Sequence, residues 1–164
     1  MAKDHSMDVS VNFDFQEMKN AVDQAQRDSK TRYDLKDSNV EIELSNESVK
    51  VNAQSDHQIE AVYGILIQKM IGRGLSPKIL DRQKMEEAGG MRMRQEMKLV
   101  KALDSENSKK ISKLVRENFP KAKPVIQGDT IRISSQSIDD LQAISRMLRD
   151  DESIVVPLEF GNYK

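Results

Sequence analysis

Apolar and polar residues alternate with period two along Val9-Ser10-Val11-Asn12-Phe13, which predicts a half-buried strand. Beyond Asp14, a residue suited to an N-cap, the period changes: Met18, Ala21, Val22 and Ala25 fall on one stripe of a helix. Val40-Glu41-Ile42-Glu43-Leu44 and Val49-Lys50-Val51-Asn52-Ala53 return to period two on either side of Ser45-Asn46-Glu47-Ser48, so they predict a hairpin. A second helix starts near Ser55 or Asp56. It carries Ile59, Val62, Tyr63, Leu66, Ile67 and Met70 on one face and stops at Gly72-Arg73-Gly74. Past Pro77, Lys78-Ile79-Leu80 is long enough for a short closing strand.

The same order then recurs. Met91 to Leu99 alternates, and Asp104 caps a helix marked by Ile111, Leu114 and Val115. Val125-Ile126-Gln127 and Ile131-Arg132-Ile133 flank the turn at Gly128-Asp129, Ser137 starts a helix carrying Leu141, Ile144, Met147 and Leu148, and Ile154 to Phe160 supplies a last strand. Val49-Lys50-Val51-Asn52-Ala53-Gln54-Ser55 matches Ile131-Arg132-Ile133-Ser134-Ser135-Gln136-Ser137 at an offset of 131 minus 49, or 82 residues, and Ile59, Ala61 and Val62 fall on Leu141, Ala143 and Ile144 at the same offset.

The expected class is therefore α+β: two ferredoxin-like, RNA-recognition-like βαββαβ units, each an antiparallel sheet with both helices on one face. Val9, Val11, Phe13, Val49, Val51, Met91, Met93, Met97, Ile131 and Ile133 have the parity of core positions under the helices. The linker candidate runs from Pro77 to Gly90, which divides the chain into a first domain over residues 1–86 and a second over 87–164. A terminal strand that crosses to the other sheet is the alternative.

Composition narrows the function. The 164 residues carry 26 Lys plus Arg against 27 Asp plus Glu, a net charge of -1, so a phosphate-seeking surface has to be local. It is: residues 90–133 hold eleven Lys plus Arg against five Asp plus Glu, while residues 1–86 hold twelve against fifteen. The absence of Cys removes disulfides, thiolate chemistry and cysteine zinc sites. The start Met1-Ala2-Lys3-Asp4-His5-Ser6 has no apolar core of an export signal, and the longest apolar stretch, at Ile65-Leu66-Ile67, is far short of a membrane span, so a cytoplasmic protein away from membranes is expected.

On the open face of the second sheet, parity groups Arg92, Arg94 and Lys98 on one strand with Arg132 on its expected neighbour. Guanidinium forks held at fixed spacing suit phosphate oxygens, and the competing reading is a solvated face with cations paired across strands to Glu96. The aromatic platform of RNA-recognition domains is missing, because Lys50, Asn52, Arg132 and Ser134 occupy the solvent side. Thr31-Arg32-Tyr33-Asp34-Leu35-Lys36 offers Arg32 for phosphate and Tyr33 for a base, or else Tyr33 and Leu35 pack on the helix while Arg32 pairs with an aspartate. Catalysis has little to stand on. His5, in an N-terminal tail, and His57, at a helix start, are the two histidines, and neither a Walker loop nor GxGxxG occurs, so no enzyme, cofactor or metal site is expected.

Six segments in series resemble the YajQ family of bacterial proteins: Ser6-Met7-Asp8-Val9-Ser10, Asn20-Ala21-Val22-Asp23-Gln24-Ala25, Thr31 to Lys36, Ile126 to Ile133, Asp139-Asp140-Leu141-Gln142-Ala143 and Pro157 to Lys164. The resemblance implies two ferredoxin-like domains related to RNA-binding folds, a cytosolic bacterial protein, and nucleotide binding without catalysis. Its implied ligands are purine nucleotides (GTP or ATP), tRNA or cyclic di-GMP, the last acting through a partner transcription regulator. One departure bears on this: Ser134-Ser135-Gln136-Ser137-Ile138 stands where the family has a turn rich in Lys and Arg, which weakens the transfer of the cyclic di-GMP role. The expectation is a non-enzymatic nucleotide-binding protein using Arg92, Arg94, Lys98 and Arg132, with Arg32 and Tyr33 reading sugar or base. The alternative is a protein-interaction module that works with a transcription regulator and has no nucleotide site.

Overall fold

Four helices and nine strands follow one another in the computed structural model, which describes residues 4–161, 163 and 164. The polar start at Met1-Ala2-Lys3, and Asn162 in the last of the six family segments, lie outside the described residues. The strands are β1 (His5–Val11), β2 (Glu41–Leu44), β3 (Ser48–Ala53), β4 (Leu80–Arg82), β5 (Glu86–Ala88), β6 (Arg92–Leu99), β7 (Lys123–Gln127), β8 (Thr130–Ser135) and β9 (Leu158–Gly161). The helices are α1 (Phe15–Thr31), α2 (Asp56–Gly72), α3 (Ser105–Asn118) and α4 (Ile138–Asp150). Each helix starts at a side chain that caps its free N–H groups: Asp14, Ser55, Asp104 and Ser137 accept from Gln16, Gln58, Asn107 and Asp140 respectively.

The strands form two antiparallel sheets, one in the order β7-β8-β1-β9 and one in the order β2-β3-β6-β4 with β5 also paired to β6. The chain accordingly divides into a unit formed by residues up to Asn12 together with Lys101–Lys164, and a unit formed by Phe13–Val100. Of the two expectations, a contiguous division at residue 86 and a terminal strand that crosses to the other sheet, β1 takes the crossed place. β1 pairs with β8 and β9, and β6 pairs with β3, β4 and β5, so the two central strands have changed places relative to their order in sequence. Both strands alternate in the same way, and nothing local in either tells which sheet it will complete.

In the Phe13–Val100 unit, α1 and α2 pack over the sheet. Met18, Ala21, Val22 and Ala25 of α1 and Ile59, Val62, Leu66 and Met70 of α2 are buried with Val49, Val51, Met97 and Leu99 of the strands. In the other unit, Met7 and Val9 of β1, Ile131 and Ile133 of β8, Ile111 and Val115 of α3 and Leu141, Ile144 and Leu148 of α4 are buried. β3 and β8, the two copies of the internal repeat, take the same place in their sheets, each beside an edge strand.

Several expectations are adjusted. The linker candidate contains a 3-10 turn at Pro77–Ile79 and strands β4 and β5. His5 opens β1 rather than lying in a tail. The last strand is shorter than expected, with Ile154 and Val156 buried ahead of it. Met91 does not join the core: it sits at φ 60 in the turn before β6 and is 97% exposed, whereas Met97 is fully buried.

Candidate functional site

The open face of the Phe13–Val100 unit is set by the parity of β6. Met97 and Leu99 point under the helices, so Arg94, Glu96 and Lys98 stand on the opposite side. Cross-strand register then fixes the neighbours: Lys50 lies opposite Glu96, Asn52 opposite Arg94, Lys98 opposite Asp81, and Arg94 opposite Glu86. Cations and carboxylates thus alternate, and β2 adds Glu43 opposite Lys50.

The outer edge of this face is irregular. Arg82 pairs with Met97 while Glu86 pairs with Arg94, so four steps along one strand match three along the other, and the extra residue forms a bulge at positions 83–85. The Gln83 N–H still donates to Glu96 O at 2.9 Å, and Gln95 Nε2 donates to Gln83 O at 2.7 Å, which ties the bulge to β6. The result is a cleft of 370 Å³ lined by Lys50, Gln83, Lys84, Glu86, Arg94, Gln95, Glu96 and Lys98. Four cations face two carboxylates there. One pair is closed, with Arg94 3.3 Å from Glu86 and both side chains mostly exposed.

The six residues singled out in the sequence are not brought together. Arg94 and Lys98 line the cleft. Arg92, on the same strand, is spent on the protein: its Nε donates to Asn52 Oδ1 at 2.5 Å, and its two terminal nitrogens donate to Ser38 O at 3.0 Å and Asn39 O at 2.7 Å. Arg132 belongs to the other sheet, because β8 neighbours β1 and not β6. There it faces Asp8, whose carboxylate accepts from Arg132 Nε at 3.0 Å. That hydrogen bond, reinforced by the charge of Asp8, raises the pKa of Arg132 above its ordinary value.

Arg32 and Tyr33 lie in the turn after α1. Arg32 pairs with Asp34 at 2.8 Å and Leu35 is buried, whereas Tyr33 is 89% exposed. Half of the packing expectation therefore holds, for Leu35, and Tyr33 departs from it. Lys50 and Lys84 are the cleft cations that sequence reasoning left out of the site. Lys50 carried a signal in its outward parity, but Lys84 owes its place to the bulge, which has no signature in composition. Among the described residues no group of three or more His, Cys, Asp or Glu could hold a metal ion, and no helix is long and apolar enough to cross a membrane.

Two ferredoxin-like units with open, charged sheet faces define an α+β protein of the RNA-recognition-like class. Comparison with known proteins makes the assignment specific. The family model described as nucleotide-binding protein YajQ-like matches residues 5–164, and the chain belongs to that family. It is 46% identical over 164 residues to a protein of Trichodesmium erythraeum, covering all of both chains. It is also 46% identical over its full length to a protein of Nostoc punctiforme and 44% to one of Picosynechococcus, again with both chains covered; all three relatives carry the name nucleotide-binding protein.

Proposed function

We propose that this chain is a non-enzymatic nucleotide-binding protein of the cytoplasm that holds phosphate groups in the cleft on the open face of the Phe13–Val100 unit. The observation that carries the reading is the gathering of Lys50, Lys84, Arg94 and Lys98 around 370 Å³, a space within the range of small-ligand sites. Strands β3 and β6 are rigid supports, and the bulge brings Lys84 in from the edge. Lysines act as point charges on phosphate, and Arg94 can exchange its exposed partner Glu86 for a phosphate oxygen, because an ion pair so open to water is worth at most ~1 kcal/mol. Family membership and the names of the relatives support the class of ligand. GTP, ATP, cyclic di-GMP and tRNA are the candidates.

Arg92 and Arg132 leave this proposal. The first is occupied by Asn52, Ser38 and Asn39, the second by Asp8 on another sheet. The test is calorimetric titration of the protein, freed of copurifying nucleic acid, with each candidate ligand, alongside a Lys50→Ala/Lys98→Ala double variant. Saturable binding that weakens at higher salt and is lost in the double variant supports the reading. Equal binding by both proteins overturns the cleft. Binding of none of the ligands favours the protein-interaction reading, in which the alternating charges of this face steer a transcription regulator.

A further inference from the structure

A second groove in the Phe13–Val100 unit, of 660 Å³, opens on the helix side of the sheet where β6 begins. Met93 has the parity of buried Met97 and lies opposite Ala53 on β3 and opposite Glu87 on β5. Residues directly opposite one another share a face, so the row Ala53, Met93 and Glu87 looks toward the helices. β3 ends at Ala53, and the chain turns through Gln54 and Ser55 into α2, whose first turn carries His57. His57, Met91 and Met93 therefore border one space, with Asp56 and Glu87 beside them.

Met91 holds its place against two preferences. Its backbone is left-handed at φ 60, which a residue with a Cβ disfavours, and its thioether is 97% exposed to water. Gly90 before it, at φ 75, shares the turn. A large apolar side chain presented to water by a strained backbone points to a use for the side chain itself. The charges of the groove are also unbalanced. Arg92 turns its guanidinium away to Asn52, Ser38 and Asn39. Among the described residues, the side chains of Asp56, Glu87 and His57 have no hydrogen bond or ion pair. Two thioethers, an imidazole and two unpaired carboxylates around one space call for a cation, and for a soft one.

We propose that His57, Met91 and Met93 form a binding site for Cu(I). Thioether sulfur is a soft donor that selects this ion over hard divalent cations, and neutral imidazole suits copper as well. Zinc-type sites draw on His, Cys and carboxylates, and no group of three such residues occurs among the described residues, so the methionines decide the metal. Methionine is unbranched with three rotatable bonds, so Met91 can swing from water onto the ion while the fold around it stays in place. The three ligands are neutral, and Asp56 and Glu87 offset the charge of the ion. This site goes beyond the nucleotide-binding reading and uses none of the residues that line the phosphate cleft.

The test uses the full chain without oxygen, with Cu(I) supplied as its coloured bicinchoninate complex, so that transfer to the protein is read as bleaching. Wild type should withdraw about one Cu(I) per chain. Met91→Leu and His57→Ala should each weaken the affinity about tenfold or more, and Met91→Leu/Met93→Leu should abolish transfer. Leucine keeps the volume of methionine, so the circular dichroism of these variants should match that of wild type. In parallel, methyl-labelled methionine is followed by NMR with Ag(I), an air-stable ion of the same charge and softness. Of the nine methionine signals, those of Met91 and Met93 should move, and Zn(II) should move none. No transfer from the chelator overturns the proposal. So does transfer undiminished in the double variant, which would mark adventitious metal only, and so do Ag(I) shifts confined to other methionines.

Discussion

Arg92→Ala should destabilise the Phe13–Val100 unit, in contrast to the effect of removing a surface cation. The guanidinium joins three segments: it stands on β6, takes Asn52 on β3, and reaches the carbonyls of Ser38 and Asn39 in the loop. Hydrogen bonds from a charged donor are worth ~1.5–3 kcal/mol each in a buried setting, and partial exposure here lets water replace some of that. Asn39 also sits at φ 50, a left-handed conformation that holds only while its surroundings keep it there. Together these give a loss of about 2–3 kcal/mol, which for a unit of this size lowers the melting temperature by about 10–20 °C. Arg94→Ala is the internal control, because its exposed pair with Glu86 contributes at most ~1 kcal/mol. Arg92→Lys should restore little, since one ammonium cannot span three acceptors spread over the fork of a guanidinium. The assay is thermal and urea unfolding followed by circular dichroism. Arg92→Ala and Arg94→Ala melting within about two degrees of each other would refute the reasoning and return Arg92 to the solvated face.

Further expectations concern the core, buried hydroxyls and charge. Met97→Ala removes a fully buried side chain from the middle of its sheet and should cost ~2–5 kcal/mol by urea denaturation. Ser108 and Ser112 on α3 bury hydroxyls that have no hydrogen-bond partner among the described residues, so Ser108→Ala and Ser112→Ala should each raise stability by ~0.5–2 kcal/mol in the same assay. Because Asp8 raises the pKa of Arg132, the stability this residue adds is complete below its ordinary pKa and is lost only as pH rises through a still higher value. The stability profiles of wild type and Arg132→Gln should therefore run parallel from about pH 6 to 10, and divergence in that window would count against the Asp8 pairing.

Local features of the fold were legible because each depends on a few adjacent residues. Asp14, Asp104 and Ser137 read as caps since a side-chain oxygen two or three residues ahead of free N–H groups has one natural use, and the hairpins around Ser45-Asn46 and Gly128-Asp129 read from alternation broken by turn residues. What depends on distant partners was not legible. The alternation of Val9 and Val11 is indistinguishable from that of Met93 and Met97, so the exchange of β1 and β6 between sheets left no mark in either strand. That exchange is also why Arg132 was grouped with Arg92, Arg94 and Lys98. Parity correctly placed Arg94 and Lys98 on the open face, yet parity cannot show that Arg92 meets two carbonyls from residues 38 and 39, nor that an extra residue at 83–85 swings Lys84 into the same cleft.

The most direct test of the central claim is a titration of the isotope-labelled protein with ATP or GTP, followed residue by residue through backbone amide NMR shifts. The account predicts saturable shifts on β3 around Lys50, on β6 from Arg94 to Lys98, and in the bulge around Lys84. Shifts confined to the sheet that carries Arg132, or none at ligand concentrations in the millimolar range, would contradict it.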